Sequence, residues 1–267
     1  MHLTDSLLLK LAQEAAVLVT VVDTQGSVPR EVGTWMAVFA DSEVGTIGGG
    51  HLEFQALSRA RQGLGDPSHD LQTQRVALGP SLGQCCGGVV VLAFERIGAQ
   101  DIPTLRERLQ MHGTPVALFG GGHVGHALVR VLADLPFRVH WIDSRDQVFP
   151  AQVPGHVHCE HSDPVHGAVK DLAPGSRVLI MSFSHAEDLD VLAACLQRAR
   201  TQQDLPFIGL IGSATKWATF KHRLQAKGFD EADFSRVTCP IGLPGISGKS
   251  PAEIAVAVAA QLLLLNG

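Results

Sequence analysis

"PVALFGGGHVGHALVRVLADLPFRVHWIDSR", residues 115–145, is the stretch on which the fold turns. An apolar strand runs into Gly120-x-Gly122-x-x-Gly125, the glycines open a helix, and the following strand ends on an acid, Asp143. Strand, loop, helix and second strand together form the setting in which a glycine pattern holds the phosphates of a dinucleotide. Gly120 permits the tight turn, Gly122 lets backbone approach a phosphate, and Gly125 lets the helix pack on the strand. Helix N-terminal amides then face the anion. Asp143 stands where it would accept hydrogen bonds from a ribose and repel a 2′-phosphate. The same loop can close a doubly wound fold without a ligand; the complete setting favours NAD or another nucleotide.

Toward the C-terminus the same grammar repeats: "RVLIMSF" and "FIGLIG" are strands, with helices around 164–172 and over 186–203. Alternating β and α of this kind specifies a parallel sheet with helices on both faces. The expectation is a Rossmann-like doubly wound domain over 115–240, then a C-terminal segment with a closing helix over 241–267. Ligands of such sheets sit beyond the strands' carboxyl ends. There "SFSHAEDLDVL" projects His185 and Asp190, and "IGSATKWATFK" projects Ser213 and Lys216. Asp190 reads equally as a first-turn helix charge and Ser213 as an N-cap, so His185 is the more informative candidate ligand. In "PGHVHCEHSDPVH" (154–166), His156, Cys159 and His161 are metal-ligand types. That segment falls on an edge strand and loop, and a solvated loop is the favoured reading; the metal is left unknown.

Toward the N-terminus the grammar changes. Residues 1–98 read as an α+β domain with strands over 15–24, 34–40, 73–79 and 89–97, one helix over 51–62, and bends rich in glycine. Residues 99–114 read as a connecting helix or linker. Gly48, Gly49 and Gly50 lead straight into the helix, so unhindered N–H groups meet a helix N-terminus, with Arg30 as the nearby permanent cation. A hairpin connection is the plainer alternative. A third bend, "LGPSLGQCCGG" (78–88), sets Cys85 beside Cys86. Neighbouring Cα atoms about 3.8 Å apart do not suit a relaxed disulfide, and adjacent cysteines lack the spacer of a structural zinc site.

Five cysteines, scattered and odd in number, indicate a reducing, cytoplasmic setting rather than a disulfide framework. A formal charge of −5 without a basic run gives no footprint for nucleic acid. The N-terminal stretch has helical spacing and no basic leader, and the apolar C-terminal stretch falls short of a membrane span. Small molecules and other proteins are the expected partners.

"VTVVDTQGSVPREVGTWMAVFADSEVGTIGGGHLE", "GPSLGQCCGG", the Rossmann segment, "SHAEDLDVL", "FIGLIGS" and "CPIGLPGISGKSPAEIAVAVAAQLL" together resemble, in order and over nearly the whole chain, the XdhC/CoxI family of xanthine dehydrogenase accessory proteins. The resemblance implies a chaperone without turnover of its own. Such a protein binds molybdenum cofactor (molybdopterin), shields it during sulfuration by a cysteine desulfurase, and delivers it to apo xanthine dehydrogenase in purine catabolism. A homo-oligomer is compatible with it. Soft donors from Cys85 and Cys86 would suit the metal end of that cofactor, and Gly48 to Gly50 with Arg30 its phosphate. Many relatives carry cysteine after the triple glycine, where this chain has His51; that weakens a scheme needing a third thiol and leaves room for an imidazole hydrogen-bond donor, with an ordinary helix-start histidine as the plainer alternative. Two other readings stand beside it: an NAD(P)-linked oxidoreductase built on Gly120, Gly122, Gly125 and Asp143, and a redox-sensing thiol protein built on Cys85 and Cys86.

Overall fold

In the computed structural model, which describes residues 3–66, 68, 71–78, 87–110 and 113–265, the chain divides into two units, residues 1–109 and 110–267. The first is organised by β1 (Ala16–Gln25), whose side chains alternate between two separate cores. Val17, Val19 and Val21 face one, Ala16 and Leu18 the other. A strand buried on both faces reads as an unbroken apolar run, which is what its first four residues show. Around it stand β2 (Trp35–Val38), β3 (Glu43–Gly45), β4 (Gln74–Ala77) and β5 (Val89–Ile97) in the antiparallel order β3-β2-β1-β5-β4. Helix α2 (Gly50–Gly65) covers one face with Leu52, Ala56 and Ala60, spaced one helical turn apart.

The other face is closed by Leu7, Leu8 and Leu11 of α1 (Leu3–Leu11) and by Leu105 of α3 (Ile102–Gln110), with Ile102 and Leu109 alongside. The segment expected as a connecting helix or linker over 99–114 is helical over Ile102–Gln110, and through Ile102, Leu105 and Leu109 this helix packs into the first unit's core. The polar content of "LRERLQ" disguises a helix that buries a single stripe.

The second unit is a six-stranded sheet in the order β11-β10-β9-β6-β7-β8, parallel at every pairing. Its strands are β6 (Thr114–Phe119), β7 (Phe137–Asp143), β8 (Val157–His161), β9 (Arg177–Ile180), β10 (Phe207–Leu210) and β11 (Val237–Thr238). Helix α4 (His123–Leu132) and the final helix α8 (Pro251–Leu264) cover one face. A 3-10 segment (Val165–Asp171), α5 (His185–Thr201), α6 (Ala214–Ala226) and α7 (Glu231–Phe234) cover the other. From β6 the chain travels outward through β7 and β8, and from β9 it travels the opposite way through β10 and β11. The strand order reverses between β6 and β9, which places the crevice of the doubly wound fold there.

Candidate functional site

The loop after β6 fills one side of that crevice, and its three motif glycines differ in why they must be glycine. Gly120 has φ +124°, and a Cβ built on it would lie 2.0 Å from the Met181 carbonyl oxygen. A Cβ on Gly125 would lie 2.1 Å from the Gly120 oxygen. Both are required by the fold itself: the first lets the loop lie on the end of β9, the second lets α4 close on the turn. Gly122, the N-cap of α4, has φ −78° and a Cβ there would meet nothing within 4 Å. Folding makes no demand for glycine at 122, and the space beside it is open to a ligand. Beneath the turn, the Trp141 indole donates to the Gly120 oxygen at 3.0 Å, so a buried aromatic senses the loop's backbone.

Asp143 is buried, at the carboxyl end of β7. Its Oδ2 accepts from the Gly121 amide (2.6 Å) and Arg145 Nη2 (2.9 Å), and its Oδ1 from the Arg145 amide (2.9 Å) and Nε (2.8 Å). Four donors use the four lone-pair directions of a carboxylate. Burial pushes this carboxyl up, but the hydrogen bonds from Arg145 and from the Gly121 and Arg145 amides, with the guanidinium charge, outweigh it and hold the group below its usual range. The expectation of a free ribose acceptor is corrected: Asp143 latches the glycine loop to Arg145, and a ribose reaches it only by displacing Arg145. The guanidinium also lies 4.6 Å over the ring of Phe183, which is exposed after β9.

Glu187, Asp188 and Ser182, which the sequence did not single out, add further groups at this rim. Glu187 accepts from Ser144 Oγ (2.7 Å) and from the Phe183 amide (3.2 Å), tying the ends of β7 and β9 together. Asp188 is buried, accepts from the Ser182 amide at 2.7 Å, and pairs with Lys216 Nζ at 2.6 Å. The hydroxyl of Ser182 is buried and has no hydrogen-bond partner among the described residues. It lies one residue beyond the carbonyl on which Gly120 rests. Such a group is costly unless something completes it. His185 is exposed at the start of α5, with its ring 6.3 Å from that of Phe220. Asp190 forms an exposed pair with Lys227, and Ser213 caps α6 by accepting from the Lys216 amide.

The triple glycine of the first unit is arranged differently. Gly48, Gly49 and Gly50 all have positive φ. Their neighbourhood of amides is already filled: Glu53 Oε2 accepts from the Ile47 amide (2.9 Å), the Gly49 amide (3.1 Å) and Thr46 Oγ1 (2.5 Å). The anion cradle expected from the sequence is real as a backbone device, but the chain supplies its own carboxylate. Arg30 is exposed beside it, its Cγ 3.4 Å from the Cβ position of Gly48, and His51 is exposed with its ring 6.2 Å from that of Phe54. Cys85 and Cys86 lie outside the described residues.

Among the described residues, the suggested metal ligands His156, Cys159 and His161 do not converge as a group. His156 precedes β8, while Cys159 packs against the core under α4 and burial pushes its thiol up. His161 pairs with Asp146 at 3.1 Å and with the Ser144 carbonyl at 2.9 Å. The group of three that does converge among the described residues is His140, His158 and Glu160. Burial pushes the His140 imidazole below its ordinary value, against the opposing pull of Glu160. Cys195 is buried in the core, its thiol pushed up to about 12 by burial, and is chemically inert.

The chain matches the family description "XdhC Rossmann domain" over residues 116–262 and "XdhC and CoxI family" over residues 9–74. It is 30% identical over 249 residues to the uncharacterized protein YqeB of Escherichia coli (strain K12), covering 91% of this chain and 42% of that protein. The chain thus spans less than half the length of that curated relative. A crystal structure described as a xanthine dehydrogenase from Bacillus halodurans superposes with a TM-score of 0.72 at 19% identity, over 100% of this chain and 96% of that one. At that identity the likeness bears on the fold alone. The chain belongs to the XdhC and CoxI family.

Proposed function

We propose that this member of the family is an accessory protein of xanthine dehydrogenase maturation, and that its second unit takes a phosphate-bearing nucleotide at the Gly120 to Gly125 loop. The observation that carries the nucleotide reading is the open space at Gly122 beside a buried, unpartnered Ser182 hydroxyl, at the point where the strand order reverses. The amide end of α4 and the Ser182 hydroxyl are donors, which suits phosphate oxygens. Arg145 would leave Asp143 to receive a ribose, or stay and present its guanidinium to a further phosphate or to an adenine face.

For molybdenum cofactor, the residues proposed are Cys85 and Cys86 at the metal end, with Arg30 and His51 as further donors. In the Gly48 to Gly50 bend the Gly49 amide is held by Glu53 and the Gly48 amide by Thr46 Oγ1, so these two are not open to a second anion. That cofactor, when bound, supplies a dithiolene-held molybdenum centre; the chain's own part is to bind and shield it, to meet the desulfurase, and to release the cofactor to the apoenzyme. The oxidoreductase alternative is weakened by the latch on Asp143, the residue it needed for the ribose of NAD(P).

The test is purification from cells that make molybdenum cofactor, under low oxygen, followed by oxidative release and fluorescence of any pterin. Bound pterin that is lost in the Cys85→Ser/Cys86→Ser variant, together with a partner dehydrogenase that is expressed but inactive in cells lacking this protein, supports the proposal. Turnover of small substrates with NAD(P) at enzymatic rates by the isolated chain would replace it with the oxidoreductase.

A further inference from the structure

On the outer strands of the second unit, away from the glycine loop, three metal-ligand side chains share one face. β7 and β8 run parallel with His140 opposite His158, and Ile142 opposite Glu160. Side chains two residues apart on a strand point the same way, so Glu160 follows His158 onto the face that carries His140. The His140 and His158 rings stand 5.1 Å apart, and His140 Nε2 lies 2.7 Å from Glu160 Oε2. One ligand atom from each of the three lies within 4.8 Å of the others. His158 is exposed and makes no hydrogen bond among the described residues, so the His140 to Glu160 pair accounts for two of the three groups and leaves the third unexplained.

We infer that His140, His158 and Glu160 form a mononuclear site for a borderline divalent transition metal of the zinc class, with the fourth position open to water. A tetrahedral ion with ligands at about 2.0–2.1 Å holds its donors roughly 3.3 Å apart. The carboxylate must retreat from His140 by about half an ångström, and the exposed His158 ring must close by up to about 1.5 Å. Both are side-chain rotations at a half-open surface. Two imidazoles select zinc, cobalt, nickel or copper; a single carboxylate falls far short of the oxygen shell that calcium or magnesium takes. Bridging two strands, the ion would fasten β8, the edge strand of the sheet, to β7. Cys159 takes no part, since it projects to the opposite face.

The experiment titrates the metal-free full-length protein with Co²⁺, following visible absorption, and repeats the titration with Zn²⁺ in competition. The expected result is one equivalent bound with tetrahedral bands, displaced by Zn²⁺ and not by Ca²⁺, with affinity lowered at least tenfold in His158→Ala and in Glu160→Gln. His222→Ala, an exposed histidine on α6, serves as the control and should bind as wild type does. Melting curves without metal establish that each variant is folded; should His158→Ala fail to fold, the isosteric Glu160→Gln carries the test. Absence of a saturable single equivalent, or an equal loss in His222→Ala and Glu160→Gln, would overturn the site.

Discussion

Two glycine bends in this chain meet helix N-termini, and they use the same backbone device to opposite ends. At Gly48 to Gly50 the Gly49 amide and the preceding Ile47 amide converge on the Glu53 carboxylate from the first turn of the helix that follows, and the Gly48 amide donates to Thr46 Oγ1. At Gly120 to Gly125 a carboxylate also enters, but Asp143 takes only the Gly121 amide from behind, while the space at Gly122 stays open. A cluster of amides at a helix start is thus not a binding site until its acceptors are counted. The first bend satisfies itself with an internal anion, and the second leaves donors for an external one.

The sharpest break in this comparison lies within the second bend. Gly120→Ala forces a side chain onto the Met181 carbonyl at positive φ, and should cost roughly 3 kcal/mol or more, measured by chemical denaturation. Gly122→Val, two residues on, should change stability by under about 1 kcal/mol, because the position is open and its φ is ordinary. Equal losses at the two positions would mean that the loop is wholly structural.

Next in size is Arg145→Ala, which leaves a buried carboxylate with only its backbone donors and should cost about 1–3 kcal/mol at neutral pH. The sign of its pH dependence follows from the depressed Asp143 pKa. Stability from that shift is present above the unfolded value, near 4, and is lost as pH falls through the lower folded value. The gap between wild type and variant should therefore narrow in acid; a gap that widens below pH 4 contradicts the latch.

A smaller effect, about 1 kcal/mol, is expected for Glu53→Ala, by analogy with loss of a helix cap. Its second consequence is more telling. The freed Ile47 and Gly49 amides should now donate to sulfate or phosphate oxygens, so these anions should raise the variant's melting temperature more than the wild type's. No difference would show that the bend does not bind anions even when vacant.

Much of this was legible in the sequence. The Rossmann order follows from alternating apolar strands and helices, and the strands of the first unit were visible because branched and aromatic residues cluster between glycine turns. What escaped is set by partners distant in sequence. Asp143 has the residue type and position of a ribose ligand, yet its acceptors are consumed by Gly121, 22 residues away, and by Arg145. His140 and Glu160 meet only through the register of two parallel strands, which composition does not encode. Glu53 was hidden in plain view: an acid in the first turn of a helix that follows a glycine bend stands where free amides can reach it, and it takes the Ile47 and Gly49 amides here.

The claim that the second bend receives an external phosphate is tested most directly through two of the three indoles, one from each unit. Trp141 donates to the Gly120 carbonyl under the loop, whereas Trp35 belongs to the first unit. Indole N–H resonances of ¹⁵N-labelled full-length protein are followed while pyrophosphate, ADP and NAD are added in turn. A saturable shift of the Trp141 resonance is expected with at least one of these ligands, abolished in Gly122→Val, with Trp35 unmoved. A Trp141 resonance indifferent to all three, or one that moves equally in Gly122→Val, would contradict it.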